Sequence, residues 1–128
     1  MNEKRDVLLN FKSRLDSVIK YDTNNNPYWS ARDLQEILGY VEWRKFNLVI
    51  QRAIKTCNMS GYDPNDHFIN SNKSVITGNN AIRIINDYYL TSYACILICR
   101  NGNPAKKEGI AYAQAYFSLF DYKYSLEI

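Results

Sequence analysis

Apolar residues recur along this chain mostly at helical spacing. Residues 4–19 place a stripe of five apolar side chains on one side of a helix: Leu8, Phe11, Leu15, Val18 and Ile19. Residues 43–57 repeat the pattern with Trp43, Phe46, Ile50, Ala53, Ile54 and Cys57. A third stripe, in residues 104–123, consists of Ile110, Ala113, Phe117 and Phe120. These spacings predict three amphipathic helices, and we expect Trp43, Phe46 and Ile50 to be buried.

Capping residues mark two further helices. Ser30, with Asp33 three residues later, resembles a capping box, and Gly39 is a typical C-terminal stop. The short helix between them should bury Leu34, Ile37 and Leu38. Thr91 or Ser92 opens an apolar helix that stops at residues 101–102, and a new helix is expected to start at residues 103–104.

The β-prone segments are short and separated by polar turns. Residues 21–29 form a polar turn between aromatic ends, which predicts a hairpin. Two further strands are expected at residues 74–77 and 87–90, with a turn at 78–80, a polar loop or single turn at 63–72, and either helix or strand at 81–86. The sequence therefore predicts an α+β fold that is mostly helical, with a small antiparallel sheet built near Tyr21, Tyr28, Val75 and Tyr88.

Composition is ordinary for a globular protein. The 128 residues form one domain, large enough to bury a core without metal or disulfides. A net charge of +3 is compatible with an anionic partner but does not by itself indicate one. The 11 tyrosines suit partly solvent-exposed positions at interfaces. The three cysteines lack any CxxC pair, the N-terminus is charged, and no apolar run is long enough to span a bilayer. We expect a cytoplasmic protein with reduced thiols.

Residues 30–57 predict a helix-turn-helix-like segment, because a short helix, a glycine and a longer helix follow one another. In such a motif the second helix enters the major groove of DNA. Its expected solvent face carries four residues that could read bases or neutralise phosphate: Arg44, Gln51, Arg52 and Lys55. The alternative is that this is only the charged, solvated side of an amphipathic helix.

A second basic patch is predicted at the start of the last helix. Lys106 and Lys107 fall in its first turn, beside Arg100. Cations there oppose the helix dipole, whereas a bound phosphate would be stabilised by it and by the lysines. A solvated pair of surface lysines is the alternative interpretation.

Catalytic and metal-binding candidates are few. His67 is the only histidine and lies among acidic loop residues, where we expect it to hydrogen-bond a carboxylate without a chemical role. Cys95 and Cys99 share a helix face inside an apolar run, which favours buried thiols over metal ligands. The sequence therefore predicts a protein without catalytic residues, metal or cofactor.

Several segments together resemble the N-terminal part of the DNA-damage-inducible protein D family. They cover most of the chain between Tyr28 and Phe120: residues 29–34, 38–40, 43–46, 52–53, 66–68, 87–90, 93–95, 101–102, 104, 106 and 113–117. The Ala-Arg-Asp-Leu and Leu-Gly-Tyr motifs at residues 31–34 and 38–40 are similar, more distantly, to the BRO N-terminal domain of phage antirepressors and viral DNA-binding proteins. A BRO-N-like domain over residues 1–128 is therefore expected.

The resemblance implies a bacterial or phage protein of the DNA-damage (SOS) response, from a family linked to inhibition of recombinase filaments on single-stranded DNA. It brings no catalytic residues. Two departures limit the transfer. Family members continue into a further helical half, so this chain is expected to be one domain of a longer protein. Thr91 and Ser92 also stand where a Ser-Arg step is typical, so a basic side chain is missing.

Two hypotheses follow for function. The first is a nucleic-acid-binding module that contacts single- or double-stranded DNA through the two basic patches. The second is a protein-interaction or dimerisation domain of antirepressor type, which engages a recombinase, a repressor or its own copy through aromatic surface around Tyr112 and Tyr116.

Overall fold

The computed structural model describes residues 3–103 and 108–127, and these form five α-helices and one four-stranded antiparallel sheet. The helices are α1 (Glu3–Val18), α2 (Ala31–Leu38), α3 (Trp43–Met59), α4 (Ser92–Asn101) and α5 (Glu108–Glu127). The strands are β1 (Lys20–Tyr21), β2 (Pro27–Ser30), β3 (Phe68–Ile76) and β4 (Ile82–Leu90), in the spatial order β1-β2-β4-β3. The predicted α+β class, mostly helical with a small antiparallel sheet, is confirmed.

The first hairpin forms where the sequence predicts it. Lys20 pairs with Tyr28 in antiparallel register, and the Asp22 carboxylate accepts hydrogen bonds from the backbone N–H groups of Asn24 and Asn26. An aspartate that bonds the backbone two residues on is a common way to close a turn. Asn25 completes the turn in the left-handed region, at φ 63°.

Helix α2 begins and ends at the predicted residues. The Ser30 hydroxyl accepts a hydrogen bond from the backbone N–H of Asp33 at 3.4 Å, which satisfies one of the open donors of the first turn. Gly39 ends the helix at φ 83°, a conformation that glycine adopts without steric cost. Only residues 39–42 separate α2 from α3, so the predicted succession of a short helix, a turn and a longer helix is present.

Helix α4 lies at the centre of the core. Its N-cap is Thr91, whose hydroxyl accepts from the backbone N–H of Ala94 at 3.2 Å. The six residues from Ala94 to Cys99 are all buried, as expected for a helix that is apolar on every side. It packs against α3 and α5, and β2 and β4 also contact it. The predicted stop at residues 101–102 is confirmed.

The last helix follows its predicted apolar stripe. Ile110, Ala113 and Phe117 are buried, and Phe120 packs on the edge of the core. Its predicted start at Pro104 lies outside the described residues. Gly109 allows close contact with α1, because a Cβ atom at that position would lie 2.6 Å from Cζ of Phe11.

Strands β3 and β4 are longer than predicted. Each has nine residues in continuous register, from Phe68 opposite Leu90 to Ile76 opposite Ile82. Of the loop or single turn expected at residues 63–72, a 3₁₀ turn forms at Pro64–Asp66 and the rest from Phe68 onward is strand. In the segment 81–86, which was open between helix and strand, residues 82–86 are strand. The loop expected at residues 68–72 was wrong, because most residues of the two strands are exposed and no alternation of apolar and polar residues marks them.

Two apolar residues are less buried than predicted. Trp43 is half-buried: its ring contacts Phe46 at the edge of the core, and the Arg32 guanidinium stacks on it at 3.7 Å. Leu8 is exposed on the stripe of α1, where it lines a groove beside α5. Phe46 and Ile50 are fully buried as predicted.

Candidate nucleic-acid interface

Helix α3 is fixed to the core along one side. Phe46, Val49, Ile50, Ala53 and Cys57 are buried, and the helix packs against α4. The Gln35 amide donates to the carbonyl of Tyr40 at 3.0 Å, which ties the connection between α2 and α3 back onto α2. The opposite side of α3 is therefore presented to solvent from a rigid support.

That outward side of α3 carries the predicted cations. Arg44, Arg52 and Lys55 are all exposed. At 3.6 residues per turn, Lys55 lies about 20° from Arg44 around the helix axis and Arg52 about 80° from it. Three ion pairs occur among the described residues, Lys12–Asp16, Lys45–Glu42 and Lys73–Asp33, and none uses these cations. We call Arg44, Arg52 and Lys55 the α3 basic face.

Gln51 is positioned differently from the cations. Its amide donates to the Tyr88 hydroxyl and to the Asn47 side-chain oxygen, each at 3.2 Å. Gln51 therefore joins α3 to β4. The side chain of Leu48 is also exposed on this side of the helix, which is thus not uniformly charged.

Arg32 extends the basic surface toward the sheet, and the sequence analysis missed it. Besides stacking on Trp43, its Nε donates to the backbone carbonyl of Asn86 at 2.8 Å. Burial lowers the pKa of Arg32, and the nearby Arg83 lowers it further, whereas Asp87 raises it. Asn86, Arg83 and Asp87 lie more than 50 residues away in sequence, so no local pattern could have predicted these contacts.

A buried carboxylate fixes the start of α2 against β4. Asp87 is buried and accepts hydrogen bonds from the Ser30 hydroxyl at 2.6 Å and from the Arg32 backbone N–H at 3.0 Å. It also accepts from the Tyr88 backbone N–H at 2.8 Å. Because its oxygens serve backbone and hydroxyl donors, Asp87 holds Arg32 in place and serves as a structural residue.

The second predicted basic patch falls largely outside the described residues. Arg100 is exposed in the last turn of α4, where a cation is favourable for the helix dipole. Lys106 and Lys107 lie in the segment 104–107, for which no structure is described. The patch therefore stays a prediction.

His67 is bonded to a hydroxyl and not to the carboxylate that we expected. Its Nδ1 lies 2.7 Å from Oγ1 of Thr91, and its ring contacts Tyr62 and Tyr93. Burial lowers the pKa of His67, opposed by the charges of Asp66 and Asp63. The predicted bond to a carboxylate is wrong because β3 begins at Phe68, which pairs with Leu90, and His67 therefore lies beside Thr91, the N-cap of α4.

The thiols are placed as predicted. All three cysteines are free and buried. Burial raises the pKa of Cys57, raises that of Cys95 well above its ordinary value, and raises that of Cys99 to about 12, which keeps the nucleophilic thiolate form scarce. Over the described part of the chain, no three histidine, cysteine or acidic side chains come together as they would around a metal ion.

Tyr112 and Tyr116 border an apolar groove between α1 and α5. The groove encloses about 700 Å³, and its lining includes Leu8, Leu9 and Leu119. Tyr112 stacks on Phe11 with ring centroids 5.5 Å apart. Tyr116 is not surface as expected: only 8% of it is exposed, and its hydroxyl donates to Asp16 at 2.7 Å. Burial and this hydrogen bond raise the pKa of Tyr116.

Comparison with known proteins places the chain in a family. Residues 16–116 match the BRO family, N-terminal domain. The chain is also 43% identical over 98 residues to DNA damage-inducible protein D of Escherichia coli (strain K12), which covers 77% of this chain and 35% of that protein. It thus spans about a third of the length of that relative. No solved structure matches it significantly.

None of the helices in residues 3–103 and 108–127 combines the length and apolar character required of a membrane span.

The segment that matches the family contains α2, α3 and all four strands of the sheet, so the α3 basic face lies inside it. With four fifths of its residues matched and a relative at 43% identity, this chain belongs to the BRO family, as an N-terminal domain related to DNA damage-inducible protein D.

Proposed function

We propose that this chain is a cytoplasmic, non-catalytic DNA-binding module that acts in the response to DNA damage, and that its α3 basic face contacts the phosphate backbone. One observation carries the proposal. Three exposed cations share the outer side of a helix whose other side is fixed in the core, and none has an acidic partner within the described residues.

Unpaired cations favour DNA for a physical reason. A lysine or arginine that already pairs with a carboxylate must lose that partner before it contacts a phosphate, whereas Arg44, Arg52 and Lys55 have no such partner among the described side chains. Each phosphate contact releases counterions from the DNA, which strengthens binding at low salt. Binding through this face should therefore depend steeply on ionic strength.

The comparisons support the biological setting of the proposal. The name of the relative describes a protein induced by DNA damage, and the 43% identity over 98 residues supports the same setting for this chain. We propose more finely that the domain works in an antirepressor-like or recombinase-inhibiting role, with DNA as one partner.

Equilibrium titration of labelled duplex and single-stranded DNA tests the proposal. Arg52→Ala/Lys55→Ala should weaken binding about tenfold at low salt, whereas the matched control Arg14→Ala/Lys20→Ala, with the same loss of exposed charge from α1 and β1, should weaken it less than threefold. Equal effects of the two pairs would contradict a role for α3. If only neutralisation of Arg100, Lys106 and Lys107 abolishes binding, the second basic patch is the site.

A second function is favoured by the α1–α5 groove. Its lining is apolar apart from Lys12 and Asp16, which bond each other, and Leu9 and Leu119 stand exposed at its rim. Exposed apolar patches of this kind often mark protein contacts. We propose this groove, with Tyr112 at its side, as the surface for protein contact, including a homodimer. Sedimentation of the domain over a range of concentrations tests self-association.

A further inference from the structure

The hairpin of β3 and β4 extends beyond the rest of the sheet as a two-stranded ribbon. Strand β2 pairs with β4 only at Tyr89 and Leu90, so both edges of the hairpin are open from Asn86 outward. At about 3.4 Å per residue, the five residue pairs from Asn72–Asn86 to Ile76–Ile82 extend about 17 Å. We call residues 70–88 of this hairpin the ribbon.

The ribbon is held firmly at its base. Asp87 bonds Ser30 and the start of α2, and Lys73 lies 3.7 Å from the Asp33 carboxylate. Arg32 donates to the Asn86 carbonyl on the open edge of β4. An isolated two-stranded hairpin is marginally stable in water, so these contacts orient the ribbon relative to α2 and α3.

One face of the ribbon carries amides near its base and isoleucines near its tip. Residues paired across an antiparallel ladder share a face, and alternate pairs return to it. By the observed register this face holds Asn70, Asn72, Ser74, Ile76, Ile82, Ile84, Asn86 and Tyr88. Except for Tyr88, all of them are exposed. Among the residues that the structure describes, the seven exposed side chains of this row are left open to solvent, and only Tyr88 is held, by Gln51.

The exposed charges of the two strands are positive and lie on the face opposite the amides. Lys73, beside the Asp33 carboxylate, and Arg83 are exposed there, and the one acidic residue of the two strands, Asp87, is buried. The hydrogen bond between Gln51 and Tyr88 makes the amide face continuous with α3. The cations of the α3 basic face and the amides of the ribbon thus belong to one surface.

We propose that this ribbon enters a groove of double-stranded DNA while the α3 basic face contacts the adjoining phosphates. A two-stranded ribbon fits the major groove, where asparagine can bond adenine edges and apolar side chains can contact thymine methyls. Single-stranded DNA is recognised mainly by stacking on exposed aromatic rings, and the only ring on this face, Tyr88, is half-buried with its hydroxyl bonded to Gln51. The ribbon, and not α3, is then the element that reads bases.

The test adds negative charge to the ribbon without changing shape. Asn70→Asp/Asn86→Asp replaces two exposed amides by isosteric carboxylates at diagonal positions of the hairpin. The matched control, Asn10→Asp/Asn24→Asp, makes the same change of charge on α1 and in the first turn. Affinity for a labelled 30-base-pair duplex of random sequence is measured for both, with circular dichroism to verify folding.

We expect the ribbon variant to bind the duplex at least tenfold more weakly and the control at most threefold more weakly. This inference rests on the proposed function, and the two can fail separately. If Arg52→Ala/Lys55→Ala weakens binding but the ribbon variant equals its control, the ribbon proposal is overturned and the proposed function stands. If the unmodified domain binds no DNA, both are overturned.

Hydrogen exchange tests independently whether duplex DNA contacts the ribbon. Duplex DNA should slow exchange of the backbone amides on the open edges of the ribbon, where no protein strand pairs with them. Protection of the same amides that rises with protein concentration in the absence of DNA would mean strand addition between copies, and would overturn the proposal.

Discussion

The α3 basic face and the α1–α5 groove are two solvent-exposed surfaces built from amphipathic helices, yet they differ in what they leave exposed. On α3 five apolar residues are buried, and the outer side carries Arg44, Arg52 and Lys55, with Leu48 as an exposed apolar residue among them. On α1 and α5 the stripe is wider than the core requires, so Leu9 and Leu119 remain exposed. The first surface suits a polyanion that binds in a salt-dependent way, and the second suits an apolar protein partner.

The largest expected effect separates the two sides of α3. Phe46→Ala should lower the free energy of unfolding by about 3–5 kcal/mol, because it removes a fully buried ring that contacts Tyr40 and Trp43. Arg52→Ala, on the opposite side, should change it by no more than about 0.5 kcal/mol. Urea unfolding of both variants measures the difference. Equal losses would mean that the outer side of α3 is also packed.

A smaller effect is expected beneath the groove. Tyr116→Phe removes the hydroxyl that donates to Asp16, and should cost about 0.5–1 kcal/mol because Asp16 is half exposed to solvent. Burial opposes the shift, but hydrogen bonds from Lys12 and Tyr116 lower the pKa of Asp16. The contribution of the Asp16 carboxylate to the free energy of unfolding is therefore present above its ordinary pKa of 3.8, and it is lost as the pH falls through the lower pKa of the folded protein.

Unfolding of Tyr116→Phe at pH 7 and pH 3 checks this sign. The variant should lose less stability on acidification than the unmodified protein. A larger loss in the variant would contradict the assigned role of the hydroxyl.

The groove itself should be separable from DNA binding. Leu9→Gln/Leu119→Gln replaces two exposed apolar side chains without changing charge. We expect DNA affinity to stay within twofold, while any self-association seen by sedimentation is reduced. A tenfold loss of DNA affinity in this variant would show that the two surfaces are not independent.

The smallest effect concerns His67. The pKa of His67 is lowered in the folded protein, so the unfolded chain binds the proton more readily. The contribution of the neutral ring to the free energy of unfolding is therefore complete above the ordinary pKa of 6.5, and it is lost as the pH falls toward the lower pKa of the folded protein. His67→Gln keeps a hydrogen-bonding side chain beside Oγ1 of Thr91 and removes the titration. Unfolding at pH 7.5 and pH 5.5 should show a smaller decrease for this variant. An identical decrease would assign the pH dependence to other groups.

Local signals in the sequence were sufficient for most helices. Ser30, Gly39 and Thr91 act within four residues of the groups they cap, so the sequence reveals them directly. The stripe of α5 was predicted for the same reason, since Ile110, Ala113 and Phe117 bury one face of a single helix.

The ribbon and Arg32 could not be predicted in the same way. Strands β3 and β4 are held by pairing across the hairpin and not by a buried face, so their polar residues resemble a loop. The contacts of Arg32 with Trp43 and Asn86 depend on how α2 docks against the sheet. Both features are set by tertiary packing, and both contribute to the candidate site.

The salt dependence of duplex binding tests the central claim most directly. The logarithm of the binding constant is measured against the logarithm of salt concentration for the unmodified domain and for Arg52→Ala/Lys55→Ala. If these cations contact phosphates, the slope of the variant should be shallower by about two, because each lost contact removes about 0.9. Equal slopes for the two proteins would contradict DNA binding through the α3 basic face.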